Sequence, residues 1–234
     1  MKKIFALVIV VAMMVVSLAS CDLINKVLGK DEKETRTTIT KEEWEALFKE
    51  MNYTSEATST TTMTYGEESD TSTNTTLTKS TADAMYDKTV GSYPYNDETY
   101  EYEYYYFTKD GVKYELRKYV DDDKWYANEY EWEASGLLEG LGDPEEVTFD
   151  KLVYNEETKT YSYKLEESGM VIDYTFYFED GKLVKVTLVG GGEVDYGNGT
   201  MVNLEATGTI IFTNIGTTTI ELPEYTSGET SSQD

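Results

Sequence analysis

Cys21 is the chain's single cysteine, and the chain has no histidine. These two facts narrow the available chemistry more than any others. Without imidazole there is no Ser–His or Cys–His nucleophile and no His-ligated metal. One cysteine allows no intrachain disulfide, so stability must come from packing. Carboxylate chemistry and oxygen-ligand metals remain, with 45 acidic residues to draw on. Glycoside hydrolysis needs one distinguished pair of carboxylates, and no spacing here marks one. Asp121-Asp122-Asp123, with Glu129 and Glu131 following, offers oxygen ligands. It lacks the alternating ligands and the glycine of a calcium loop, and reads more simply as a solvated acidic turn. Gly190-Gly191-Gly192 and Gly197-Asn198-Gly199 lead into no helix, which argues against a phosphate cradle. The sequence therefore assigns no catalytic residue, no metal and no cofactor, and the chain does not read as an enzyme.

The surroundings of Cys21 suggest modification instead. Lys2 and Lys3 precede an apolar run, Ile4 to Leu18, and Ala19-Ser20 lead into Cys21. A basic start, an apolar stretch and small residues before a cut are the parts of a secretory signal. The run is shorter than the roughly 20 residues of a membrane span. A cysteine directly after the small residues resembles the lipobox of bacterial lipoproteins. That resemblance implies cleavage before Cys21, diacylglycerol on its sulfur and acylation of the new amino terminus. Residues 1–20 are then the signal and 21–39 a lipidated, polar tether. Several acyl chains give lasting attachment where one does not. The remainder, about 210 residues, suffices for one domain with a real core. With 20 basic residues against 45 acidic ones, the chain repels nucleic acid and anionic lipid surfaces, so the acyl anchor must hold it to the membrane.

A second group of residues is suited to binding. Tyr100, Tyr102, Tyr104 and Tyr106 alternate along one strand-like run, and Tyr114, Tyr126, Tyr130 and Trp132 follow. Aromatic bodies with polar tips suit an amphipathic ligand or a sugar, or else form an ordinary core with hydroxyls at its rim. Unpartnered buried hydroxyls cost about 1–3 kcal/mol each, so many cannot be sealed in. Trp44, Phe48, Tyr102, Tyr104, Tyr106, Tyr114, Tyr130 and Trp132 form the candidate ligand-binding set.

Regular elements must hold these residues. Thr40 and Glu43 are spaced as a capping box, and Trp44, Leu47, Phe48 and Met51 make one apolar helical stripe. From residue 56 the pattern changes to period two. The Thr-rich stretch 56–89 suits strands, with a first turn in 66–70. Asp110-Gly111 and Asp180-Gly181 are hairpin signals. In each, a three-residue loop with glycine in the left-handed position sorts apolar residues onto one face. The first then pairs Tyr106 with Tyr114 and Tyr104 with Leu116; the second pairs Phe176 with Val184 and Tyr174 with Val186. Residues 134–150 suggest a loop or short helix capping the sheet. Asn155 to Thr158 reads as a turn. Val202, Leu204, Ala206, Gly208, Ile210 and Phe212 share a face, and the two small residues leave room for Trp44 or a ligand. Thr218 to Leu222 reads as a last strand ended by Pro223, and 226–234 as a frayed tail.

Roughly nine to eleven strands in one sheet tend to curl, and the apolar helix is the natural cover. The fold class expected is mainly β: a single large curved antiparallel sheet, a half-barrel over 40–225, with one N-terminal helix on its concave face. The helix after a tether, the Phe178-to-Lys182 hairpin and a closing strand pair ending Ile220-Glu221-Leu222-Pro223 together resemble the LolA/LppX-like superfamily of envelope lipoproteins and lipid carriers. The resemblance implies a half-barrel holding acyl chains or lipid-linked cargo; it carries over no individual residue. Two roles follow: a lipid-anchored protein of the bacterial envelope binding a lipid or other amphipathic ligand without catalysis, or a surface protein contacting another protein or the wall.

Overall fold

The structure, a computed structural model, describes residues 35–93, 98–118, 123–138, 147–167, 169–195 and 201–227. Residues 1–34, which include the expected signal, Cys21 and most of the expected tether, lie outside these residues. So do Asp121, Asp122, Gly197-Asn198-Gly199 and residues 228–234 of the tail. Arg36–Asp234 forms a compact unit of its own.

The capping box forms as the spacing predicts. The Thr40 side chain accepts from the Glu43 amide and the Glu43 carboxylate accepts from the Thr40 amide, opening helix α1, Lys41–Leu47. The helix stops at Leu47, so Met51 lies beyond it and is exposed rather than part of the stripe. Twelve strands follow: β1 Tyr53–Tyr65, β2 Glu68–Ser80, β3 Ala84–Ser92, β4 Thr99–Lys109, β5 Val112–Lys118, β6 Trp125–Glu129, β7 Val153–Asn155, β8 Thr160–Glu167, β9 Met170–Glu179, β10 Lys182–Asp195, β11 Met201–Thr213 and β12 Tyr225–Ser227. They form one curved, open sheet in the order β12-β6-β5-β4-β3-β2-β1-β11-β10-β9-β8-β7. Two meanders thus lie side by side, joined at β1 and β11. All pairs are antiparallel except β12 with β6, which is parallel. The expected fold class holds, with that one parallel strand added.

The Thr-rich stretch is regular. Its β-branched side chains favour strands, and cross-strand hydroxyls bond in pairs, as in Thr62–Thr71 at 3.0 Å and Thr76–Thr89 at 3.0 Å. The first turn is only Gly66-Glu67, with Gly66 at φ +58° as a type II′ turn requires.

Both Asp-Gly hairpins differ from the expected register. Lys109 pairs with Val112 and Glu179 with Lys182, so each loop has two residues. Asp110 and Gly111 have φ of +53° and +80°, and Asp180 and Gly181 have +48° and +79°. Positive φ at both central positions is the type I′ geometry, whose twist matches that of the strands. In the first hairpin the slip inverts the faces: Tyr105 meets Leu116 and Tyr106 meets Glu115. In the second a bulge between Leu183 and Lys185 restores them, so Val186 meets Phe176 and Leu188 meets Tyr174 on the expected face.

Because β6 and β7 lie near opposite edges, the chain between them must cross the sheet. Its described residues pass over the concave face beside α1. Leu137 donates to the Glu50 carbonyl at 2.9 Å, and Leu137, Leu138 and Val147 are buried in the main core. That core holds Trp44, Leu47, Phe176, Phe178, Leu183, Val186 and Phe212. Residues 36–39, assigned by sequence to the tether, pack here too. Ile39 is buried, its amide donates to the Tyr161 hydroxyl at 3.1 Å, and Thr37 shares a 2.9 Å bond with Tyr154.

Residues 218–222 are not a strand, which corrects the expected closing pair. The segment leaving β11 must instead travel to the β6 edge. Asn52 anchors it: Asn52 Oδ1 accepts from the Thr218 amide at 2.7 Å and Asn52 Nδ2 donates to the Thr218 carbonyl at 3.3 Å. Residues 225–227, placed in or beside the tail by sequence, then add β12. Tyr225 lies 5.4 Å from Phe107 and helps cover a second cluster of Phe107, Leu116, Trp125 and Ala127. By strand register this cluster is on the convex face, opposite α1.

Candidate functional site

The eight candidate residues occupy several places rather than one. Trp44 is 1% exposed and sits edge-on to Phe176 at 5.1 Å, while its indole donates to the Val147 carbonyl at 2.9 Å. It therefore plugs the β8–β11 half of the concave face. Phe48 packs edge-on against it at 5.8 Å. Both rings border a hollow of about 480 Å³ on the helix flank, closed on its other side by Thr148–Asp150. The space beside Gly208 is taken by Leu188, not by Trp44.

Tyr102, Tyr104 and Tyr106 do share the concave face. Their rings run in series with Tyr93, Tyr100, Tyr130 and Trp132, each 4.8–6.3 Å from the next. Adjacent rings on the same face of one strand stack on each other, so this is largely a self-packed ladder. Gly91 makes room for it: any Cβ there would strike Tyr100 and Asn74, which are hydrogen-bonded to each other. Tyr102 and Tyr104 line a wide hollow of about 610 Å³ with Arg117 and Trp125. Tyr114 is separated from this group. It stacks on Phe107 in the convex cluster, because the two-residue loop inverts β5 relative to the expected register.

Between plug and ladder lies a cleft of about 340 Å³ that the sequence reading did not anticipate. Its floor follows one row of paired residues, Asp87–Thr78–Ser55–Phe212, and the next row, through Ala57 and Ile210. Met85 and Tyr53 complete the floor, and Ser135-Gly136-Leu137 form the opposite wall. Gly136 permits that wall, since a Cβ there would lie 2.0 Å from the Phe48 carbonyl oxygen. One end of the cleft is apolar (Ile210, Phe212, Ala57, Leu137); the other carries Asp87, Thr78 and Ser55.

The polar end has a defined electrostatic character. The Thr78 hydroxyl donates to Asp87 Oδ1 at 2.6 Å. Burial pushes the Asp87 pKa above its ordinary value, against the lowering effect of that bond. Nearby, Glu115 is almost fully buried and bonds to Arg117, which also lies over the Tyr104 ring at 6.0 Å. Burial, then the Glu115 charge, raises the pKa of Tyr106, so its hydroxyl stays protonated at neutral pH. A signal for the polar end exists in sequence, Thr76/Thr78 and Asp87/Thr89 at period two, but it shows only that these residues share faces. Among the described residues no group of three or more acidic, His or Cys side chains could hold a metal, and no helix is long and apolar enough to cross a membrane.

No family model matches the chain, and no curated protein matches it. Solved structures do. An outer membrane lipoprotein-sorting protein domain from Vibrio parahaemolyticus shares 10% identity, with 73% of this chain and 87% of that chain covered and a TM-score of 0.23. A LolA superfamily protein from Nitrosomonas europaea shares 8% identity over 78% and 93% of the two chains, with a TM-score of 0.25. A DUF1329 family protein from Desulfovibrio piger also matches, at 11% identity over 80% and 96%, with a TM-score of 0.22. At these identities and scores, function rests on this molecule's own geometry.

Proposed function

We propose that this chain is a lipid-anchored protein of the bacterial envelope that binds an amphipathic ligand, without catalysis, in the cleft between the sheet and the strap formed by residues 130–138. One observation carries this reading: the cleft of about 340 Å³ has an apolar end and a polar end and is built on rigid strands. Its volume falls in the lower part of the range for small-molecule sites, about 300–1,000 Å³. The Lys2-Lys3, Ile4–Leu18 and Ala19-Ser20-Cys21 pattern supports the anchor. Both clusters and the cleft lie within Arg36–Asp234, so a soluble chain starting at Asp22 contains the whole compact unit.

Native mass spectrometry of that soluble chain, purified without detergent or delipidation, should show a bound amphiphile that an excess of uncharged monolaurin displaces. Ala57→Trp, which fills the floor, should abolish both signals. A parent protein of bare chain mass that takes up no monolaurin would leave the cleft without a ligand. The surface-interaction role would then be favoured. In the full chain, Cys21→Ala should block radioactive palmitate incorporation and signal cleavage; equal labelling of mutant and parent would sink the anchor.

A further inference from the structure

Asp87 is a carboxylate at the inner end of an otherwise uncharged cleft. Its one hydrogen-bond partner among the described residues is the Thr78 hydroxyl. The cations nearest in register are engaged elsewhere. Lys79 and Lys88 alternate with Thr78 and Asp87 and so point to the convex face, where Lys79 lies over the Tyr86 ring and Lys88 pairs with Glu101 at 2.6 Å. Arg117, on the concave face, is held by Glu115. A second unmet polar demand lies beneath the floor, outside the cleft lining. Ser80 pairs in register with Tyr53 and Met85, both of which line the cleft, and its Oγ is buried with no hydrogen-bond partner. Half-burying a carboxylate without a cation is unfavourable, and a ligand bringing the complementary charge relieves it.

We propose that the cleft selects amphiphiles with a cationic, ammonium-type head group, the head on Asp87 and the chain toward Ile210 and Phe212. This inference rests on the amphiphile-binding reading above and adds the sign of the head group. The ammonium donates to Asp87, whose other oxygen lone pairs remain available beside the Thr78 bond. The apolar chain then covers Ala57 and Leu137. An anionic head group, by contrast, meets an unpaired carboxylate.

Calorimetric titration separates the alternatives. The soluble chain starting at Asp22 is titrated at pH 7, below micelle concentrations, with dodecylammonium, uncharged monolaurin and laurate. Dodecylammonium should bind about ten-fold more tightly than monolaurin, and laurate more weakly than either. Asp87→Asn should remove the ammonium preference, bringing dodecylammonium to the affinity that monolaurin shows for the same variant. Glu56→Gln, the same charge change at an exposed convex-face position, should keep the preference and so separates Asp87 from the general acidity of the chain. Butylammonium, which has the head but little chain, should bind at least ten-fold more weakly than dodecylammonium. Laurate binding as tightly as dodecylammonium, or a preference surviving in Asp87→Asn, would overturn the inference and leave amphiphile binding standing. Failure of all three dodecyl compounds would overturn amphiphile binding itself.

Discussion

Trp44 and Glu43 are adjacent in sequence and stabilise the fold by different means. Trp44 brings a large apolar surface and places its single donor on the Val147 carbonyl, so its burial leaves no polar atom unpaired. Trp44→Ala should destabilise by about 3–5 kcal/mol, as expected for a large core truncation. Urea melts measure this, and a loss below 1 kcal/mol would show that the helix does not seat as described. Glu43 accepts from Thr40 and pairs with Arg36 at 2.5 Å. Arg36, then the Thr40 amide, lowers its pKa from 4.5 to about 2. A carboxylate whose folded pKa is depressed contributes stability above its unfolded pKa and loses it as pH falls through the folded value. The melting-temperature gap between the parent and Glu43→Gln should therefore be full above about pH 5 and close between pH 4.5 and 2. Because the pair is partly exposed, salt should shrink the gap as well.

At the scale of elements, the two Asp-Gly hairpins form a natural comparison. Gly111 and Gly181 have nearly the same φ, so both bear the same left-handed cost on substitution. Their surroundings differ. A Cβ on Gly111 meets nothing within 4 Å, whereas one on Gly181 would lie 2.1 Å from Arg36 Nη2 and 2.9 Å from Glu43 Oε1. Gly111→Ala should cost about 1 kcal/mol, the backbone term alone. Gly181→Ala should cost more, since the new methyl displaces the Arg36–Glu43 pair across the turn. The excess should vanish in an Arg36→Ala background, which a double-mutant cycle reads directly. Equal costs in both backgrounds would mean that Arg36 does not lie across the second turn.

At the scale of the whole molecule, two crossings hold an open sheet together. Residues 130–138 run over the concave face to α1, and the segment after Asn214 runs from the sheet centre to its edge as β12. Both outer strands, β7 and β12, are three residues long, which limits the edge available for pairing with other chains. The second crossing also covers the convex cluster through Tyr225. Tyr225→Ala should destabilise by about 2–4 kcal/mol and increase binding of a hydrophobic dye. Chemical melts and dye fluorescence test it; a variant matching the parent in both would show the convex cluster sealed without β12.

Much of this architecture was legible from local pattern. The capping box, the Trp44–Leu47–Phe48 part of the stripe, the Thr-rich strands, the Asn155 turn and the alternation of β11 each depend on neighbours within a few residues and form as read, while Met51 lies beyond the helix and the first turn is tighter than read. The hairpin register and the sharing of Tyr114 were misread because that reading allowed only one buried face. Tyr105 and Phe107 alternate with Tyr104 and Tyr106 on β4, so aromatic content cannot say which side is the core. The chain buries both, one under its own strap and the other under β12, which arrives from more than a hundred residues away. The cleft was hidden for the same reason. Asp87, Phe212 and Ser135 come from separate regions of sequence, and only pairing of β3 through β11 and the path of the strap place them together. Composition alone determined an acidic chain without imidazole or intrachain disulfide chemistry, and the proposed anchor rests on the pattern around Cys21. Which aromatic residues line the concave face and which pack beneath β12 was decided by long-range strand pairing, because a one-residue slip in register exchanges the two faces of a strand.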